Sequence, residues 1–285
     1  MWTFSDYLYD DDDFELLMLG QQRRRAGGAA AFSPLQLPSL RIWIEVNLSV
    51  TGLNDNDPIT TANDLSGLGN NMTQSVAANK PAYRTNALNG LPVAEFTHLN
   101  AADGHWMTSA YSPADESAAN VTFAAVVQTN NSADSEIALW AGNTNGNGFG
   151  TEDEINIGLG DLGGGNNMNS SYGGTNQGPE SVFSPFNDNV GYHIIIGTFD
   201  QLTNDLATKN TIFYFDGVAQ TTGSGTTTNS YATYQGSTFW GKPDAAGAII
   251  RVWNGRMAAL VVTASVLTGA QATQLYNFWK AKYGL

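Results

Sequence analysis

Cysteine is missing altogether from the 285 residues. That excludes a disulfide framework and any thiolate metal site. Positive charge is scarce as well. Twelve Lys and Arg stand against 26 Asp and Glu, a formal net charge of −14, and positions 85 to 208 hold no Lys or Arg. Phosphate backbones are gripped by clustered cations, so no nucleic-acid surface is expected. No run approaches the ~20 apolar residues of a membrane-spanning helix, and no membrane insertion is expected. His98, His105 and His193 are the only histidines, and none forms a His-x-x-x-His pair. Zinc is therefore not expected. Nor is there a Gly-x-Ser-x-Gly nucleophile elbow or a Gly-rich loop between a strand and a helix.

Glycine, Asn, Thr and Ser are abundant, and they supply turn conformations and local side-chain to backbone bonds. From Phe32 onward the pattern is β. Arg41 to Val46 alternates, with Ile42, Ile44 and Val46 on one face and Trp43 on the other. Further strands are expected at 93–96, 121–128, 136–140, 154–159, 193–199 and 211–215. Asp216-Gly217 makes a tight hairpin into 218–221, and strands at 237–241 and 255–262 complete the set. One helix is expected, Gly269 to Tyr283, with Thr268 as N-cap and Leu275, Phe278 and Trp279 as its apolar stripe. Positions 142–178 are rich in Gly and Asn and read as long loops at one end of a sandwich.

Residues 1–31 have a different character. Trp2, Phe4, Tyr7 and Tyr9 precede four aspartates. Phe14, Leu16, Leu17 and Leu19 follow, then Arg23, Arg24 and Arg25, then a Gly/Ala linker. Acids before the apolar run and arginines after it reverse the layout of a secretory signal. The apolar burial such an arm could gain roughly cancels the entropy of ordering it, so it needs a surface to dock on. The arm is expected to anchor the chain to a partner subunit, or else to pack on its own domain. The expected division is an arm at 1–31 and a sandwich at 32–285.

The order and spacing of several short motifs carry a resemblance. Trp43, Asp64-Leu-Ser-Gly67, Asn70-Asn71, Lys80-Pro81, Asn89-Gly90 and Phe96 form its first block. Tyr192-His193, Asp216-Gly217, Trp240-Gly241, Asn254-Gly255 and the terminal Lys282-Tyr283-Gly284 form the later pieces. Together they resemble the laminin-G-like or concanavalin-A-like jelly roll, in the version common in bacteriophage virion proteins and bacterial surface proteins. The resemblance implies an all-β jelly-roll sandwich with a C-terminal helix, here preceded by an extended N-terminal arm. Family members often carry an Asp-Ala-Ser-like sequence after the first Trp, and this chain has Glu45-Val46-Asn47-Leu48-Ser49 instead.

These features lead to a non-enzymatic bacteriophage virion protein, a capsid decoration or head or tail fibre. Its arm would meet other virion proteins, with a homotrimer as the expected assembly. The alternative is a carbohydrate-binding adhesin that contacts a cell-surface glycan through Trp106, Trp140 or Tyr172. The distant alternative is a glycoside hydrolase, suggested by Glu152, Glu154 and Asn156 at alternate positions. No cofactor is required. Calcium could sit among Asp134, Glu136, Glu152, Asp153, Glu154 and Asp161, because it takes about six to eight oxygen ligands.

Overall fold

A computed structural model describes residues 31–100, 103–111, 120–130, 136–142, 154–160, 167–173, 180–183, 191–199, 211–220, 237–239, 241–243 and 249–285. Strands are numbered in chain order. The first sheet runs, edge to edge, through β16 (Val218–Ala219), β15 (Thr211–Phe215), β14 (His193–Phe199), β9 (Val121–Thr129), β20 (Gly255–Thr263), β5 (Leu91–Phe96) and β4 (Ala82–Leu88). β1 (Leu40–Glu45) pairs with β20 as well. The second sheet runs through β13 (Glu180–Phe183), β12 (Asn167–Gly173), β11 (Glu154–Gly160), β10 (Glu136–Gly142), β17 (Ser237–Phe239), β8 (Met107–Ser109), β3 (Met72–Thr73) and β2 (Thr61–Ala62). Two short pairs stand apart, β6 (His98–Asn100) with β7 (Asp103–Gly104) and β18 (Gly241–Pro243) with β19 (Ile249–Val252). The result is an antiparallel all-β sandwich with one C-terminal helix, as the sequence led us to expect.

Strand alternation builds the core. Ile42 and Ile44 of β1, Phe123 and Ala125 of β9 and Leu260 and Val262 of β20 face Met72 and Met107 of the second sheet, all at 1% exposure or less. The opposite face of the first sheet is buried too, at Ala124, Val126, Ile194, Ile196 and Val261. The helix α2 (Gly269–Tyr283) packs on β14. It buries Ala272, Leu275, Trp279 and Tyr283. Trp279 and Leu275 thus belong to the stripe as expected, while Phe278 is only half-buried beside it.

The helix has the bounds its sequence announces. Thr268 accepts from the N–H of Gln271 in a capping box, and Gly284 closes the other end at φ +66°. Leu267 N–H donates to Thr122 Oγ1, which donates to Ser265 O, so the helix start is tied to β9. At its far end Asn89 Nδ2 donates to Tyr283 O, and Lys282 pairs with the buried Glu45.

Asp64 explains the first block. Its carboxylate accepts from the N–H of Trp43 at 2.9 Å, Ser66 at 2.9 Å and Asn70 at 3.1 Å, and from Ser66 Oγ at 2.5 Å. Asn71 Oδ1 takes the N–H of Asp64 itself at 2.8 Å. One side chain therefore holds the loop before β3 against β1. The motif is a structural staple.

Three sequence expectations need correction. Val46 does not extend the first strand. It opens a short helix, α1 (Val46–Ser49), in which the Glu45 N–H donates to Ser49 Oγ at 3.1 Å. Within the supposed loop region lies β12, whose sequence Asn-Met-Asn-Ser-Ser-Tyr-Gly lacks apolar alternation. The strand at 237–241 is two strands, β17 and β18, which flank position 240. Residues Trp2 to Arg25 of the arm, with Asp134, Glu152, Asp153 and Asp161, lie outside the described residues.

Two stability predictions follow from these contacts. Asp64→Ala should cost about 3 kcal/mol, because one buried-edge carboxylate serves several N–H donors. Lys282→Ala should cost about 3–5 kcal/mol by leaving Glu45 buried and uncompensated, and Glu45→Gln with Lys282→Met should recover most of it. Denaturant unfolding measures both, and wild-type midpoints in either single variant would refute the corresponding assignment.

Candidate functional site

The second sheet carries a groove where its edge strands meet the β7–β8 segment. Thr60, Thr61, Thr73, Gln74, Ser75, Trp106 and Thr108 line a cavity of about 300 Å³. Alternation explains why these residues are there. Thr61 pairs with Thr73, and Thr73 with Thr108, so the three share one face of the sheet. Thr61 and Thr73 are exposed on that face and Thr108 is partly so. Their neighbours Ala62, Met72, Met107 and Ser109 turn inward and are buried.

Trp106 is held in place by its backbone. Its N–H donates to Asn79 O at 3.1 Å, and its carbonyl accepts from Gln74 Nε2 at 3.0 Å. Gln74 is only 3% exposed, and its Oε1 accepts the Val76 N–H at 2.9 Å. Asn79 Nδ2 donates to Gly104 O at 2.9 Å, which ties the 3-10 turn Ala77–Asn79 to β7. A half-buried indole therefore stands on a fixed backbone beside five hydroxyl side chains and an amide. Such a surface offers one flat apolar plate and many neutral donors and acceptors. It offers no cation and no carboxylate.

His105 sits next to Trp106 but serves the scaffold. Its Nδ1 accepts the Thr97 N–H at 3.2 Å, and its own N–H donates to Thr97 O at 3.1 Å. Burial lowers its pKa below the usual histidine value, and this outweighs the upward pull of Glu95. Glu95 lies between Arg84 and Arg256, at 2.7 and 2.8 Å. Burial alone would raise its carboxyl, yet the hydrogen bonds and charges of the two guanidinium groups hold it below its usual value. His193 is also taken up structurally, with Nδ1 2.8 Å from Asp216 Oδ2 at the Asp216-Gly217 hairpin.

The expected glycan-contact residues separate into two faces. Trp106 lines the groove. Trp140 of β10 pairs with Thr238, and Thr238 pairs with Thr108, so Trp140 holds a register position on the same face. Tyr172 does not. It pairs with Ile155, then through Ala141 and Ser237 with Ser109, so its register position is in line with Ser109 rather than Thr108. Tyr172 lies in β12, a strand within the stretch that reads as loops. Sequence reasoning also missed Thr61, Thr73, Thr108 and Gln74. A run of threonines at strand positions was the signal available, but β2 and β3 are too short to reveal a face.

The described residues contain no cluster of three or more His, Cys, Asp or Glu able to hold a metal. Of the acidic residues considered for calcium, Glu136 opens β10 and Glu154 opens β11. No helix among the described residues is long and apolar enough to cross a membrane.

No protein-family model matches the chain, and no curated protein matches it. Solved structures do. Domain 4 of AbnA, a GH43 extracellular arabinanase from Geobacillus stearothermophilus in complex with arabinotriose, is similar at 14% identity and a TM-score of 0.53. The match covers 84% of this chain and 98% of that domain. A Trypanosoma rangeli sialidase in complex with 2,3-difluorosialic acid is similar at 17% identity and a TM-score of 0.50, over 88% of this chain and 34% of the sialidase. The chain thus spans about a third of the sialidase chains it matches. At these identities the likeness shows the sandwich fold alone.

The pH response of the scaffold follows from His105 and Glu95. A lowered histidine pKa gives stability that is complete above the ordinary histidine value and is lost as pH falls through it. Glu95 contributes in the same direction, but only once pH falls below the ordinary carboxylate value. Unfolding free energy should therefore decline between about pH 7 and 5, and His105→Gln should flatten that window. An identical slope in the variant, measured by urea titration across pH, would rule His105 out as a source.

Proposed function

We propose that this chain is a non-enzymatic carbohydrate-recognition protein whose sandwich binds sugar at the Trp106 groove. The observation that carries this is the composition of the groove, one fixed indole among threonine hydroxyls and the Gln74 and Ser75 side chains. A sugar ring has an apolar C–H face that stacks on an indole and a rim of hydroxyls that exchange hydrogen bonds with Thr and Ser, while the buried Gln74 braces the Trp106 backbone. Support also comes from the similar domain of the arabinanase, which was solved with arabinotriose. The groove lacks the paired carboxylates that glycoside hydrolysis uses, which supports binding without cleavage.

The finer form of this proposal is a bacteriophage virion component of laminin-G-like kinship. Residues 1–31 anchor it to a capsid or tail, as part of a homotrimer, and the sandwich faces outward. The support is the motif order of the resemblance and the apolar arm, with Trp2 and Phe14 among its anchors and Arg23 to Arg25 behind them. Incorporation of a variant lacking 1–31 into particles at the full-length level would remove the anchor from this account.

A glycan array spanning neutral, uronic and sialylated chains tests the recognition role. Wild-type protein should bind at least one class, and Trp106→Ala should weaken that binding by about tenfold or more with melting temperature unchanged. Binding retained in Trp106→Ala would move the site elsewhere. No binding to any glycan on the array would end the proposal.

A further inference from the structure

The groove is one end of a longer row. Strand pairing in an antiparallel sheet sets partners side by side on the same face. Thr61, Thr73 and Thr108 form the exposed start of such a row. From Thr108 the pairing continues to Thr238 on β17, Trp140 on β10, Asn156 on β11 and Ser171 on β12. The row crosses seven strands without interruption in this order. At ~4.8 Å per interstrand step, its six steps extend roughly 29 Å.

Its chemistry is uniform. Every position is a hydroxyl or amide residue except Trp140, and none is charged. Trp106 precedes Thr108 by two residues on the same face, at the edge of the row. Trp140 stands two interstrand steps beyond Thr108, about 10 Å across the sheet. That separation is close to the length of two sugar residues in an extended chain. Trp106 is offset by about 6.6 Å along the strand, so the two tryptophan positions lie roughly 12 Å apart. With hydroxyl and amide residues at each strand between and beyond them, they suit an extended ligand that repeats at about the strand spacing.

Resting on the recognition role given above, we infer that the ligand is a linear, neutral polysaccharide lying across the strands, with several consecutive sugar units in contact with the sheet. Charge selects the neutral class. The row offers no cation to meet a carboxylate or sulfate, and the chain as a whole carries −14. A terminal sialic acid or a polyuronate therefore finds repulsion where a neutral chain finds hydrogen bonds.

Calorimetric titration of the full-length protein with neutral gluco-, xylo- and arabino-oligosaccharides, from dimer to hexamer, tests this. In at least one series affinity should rise by about tenfold or more from dimer to hexamer. Trp140→Ala should remove most of that gain while leaving the dimer within about twofold of wild type, and Trp106→Ala should weaken both. Asn156→Ala gives the same comparison should Trp140→Ala lower the melting temperature. Binding that is independent of length and unaffected at Trp140 and Asn156 would overturn the extended platform and leave the Trp106 groove as a short-ligand site. Tighter binding of an oligouronate or of sialyllactose than of any neutral hexamer would overturn the neutral class. Absence of binding throughout would overturn the recognition role itself and this inference with it.

Discussion

Strand β20 is hydrogen-bonded along both of its edges, and the rest of the sandwich is arranged around that fact. On one edge it pairs with β9 from Gly255 to Thr263. On the other it meets β5 through Gly255, Arg256 and Met257, then β1 from Ala259 to Thr263. A segment near the C-terminus thus completes a sheet begun more than two hundred residues earlier. The entry to the strand leaves no room for a side chain. A Cβ at Gly255 would lie 2.0 Å from Gln128 O and 2.6 Å from Trp253 Nε1. The strand then delivers the chain to α2, whose end is held by Asn89 and by the Glu45–Lys282 pair. The motifs at the two ends of the sequence are therefore the two sides of one closure.

That closure explains what the sequence made legible. Asp64, Asn89 and Gly217 stand in turns whose geometry depends on residue type, so their motifs can be read locally. Thr268 and Gly284 mark the helix for the same reason. Strands β9, β14 and β20 are buried on both faces and show as continuous apolar runs. The second sheet was harder to read. Strands such as Asn167–Gly173 are mostly polar and short ones such as Thr61–Ala62 have no visible period. Which residues share a face there is set by pairing between segments far apart in sequence. No local pattern carries that information.

The same division separates scaffold from site. The first sheet, with its helix, its Arg84–Glu95–Arg256 cluster and its His193–Asp216 pair, uses its polar side chains on one another. The second sheet turns Thr61, Thr73 and Thr108 outward, and hydrogen bonds from Gln74 and to Asn79 tie down the Trp106 backbone beside them. The first sheet is thus the scaffold side, and the second is the side whose exposed threonines the proposed ligand would meet. In the proposed account that asymmetry is what a recognition module needs. In that account the arm at 1–31 would supply attachment and the sheet contact.

The indole N–H resonances offer the most direct test of where that contact lies. Trp253 and Trp279 are fully buried and Trp253 Nε1 donates to Gln128 O, so they report on the core. Trp106 reports on the groove. On titration with a neutral oligosaccharide followed by proton–nitrogen correlation spectra, the Trp106 indole signal should shift in a saturable manner while those of Trp253 and Trp279 stay in place. Saturable binding that leaves the Trp106 signal unmoved would contradict the account.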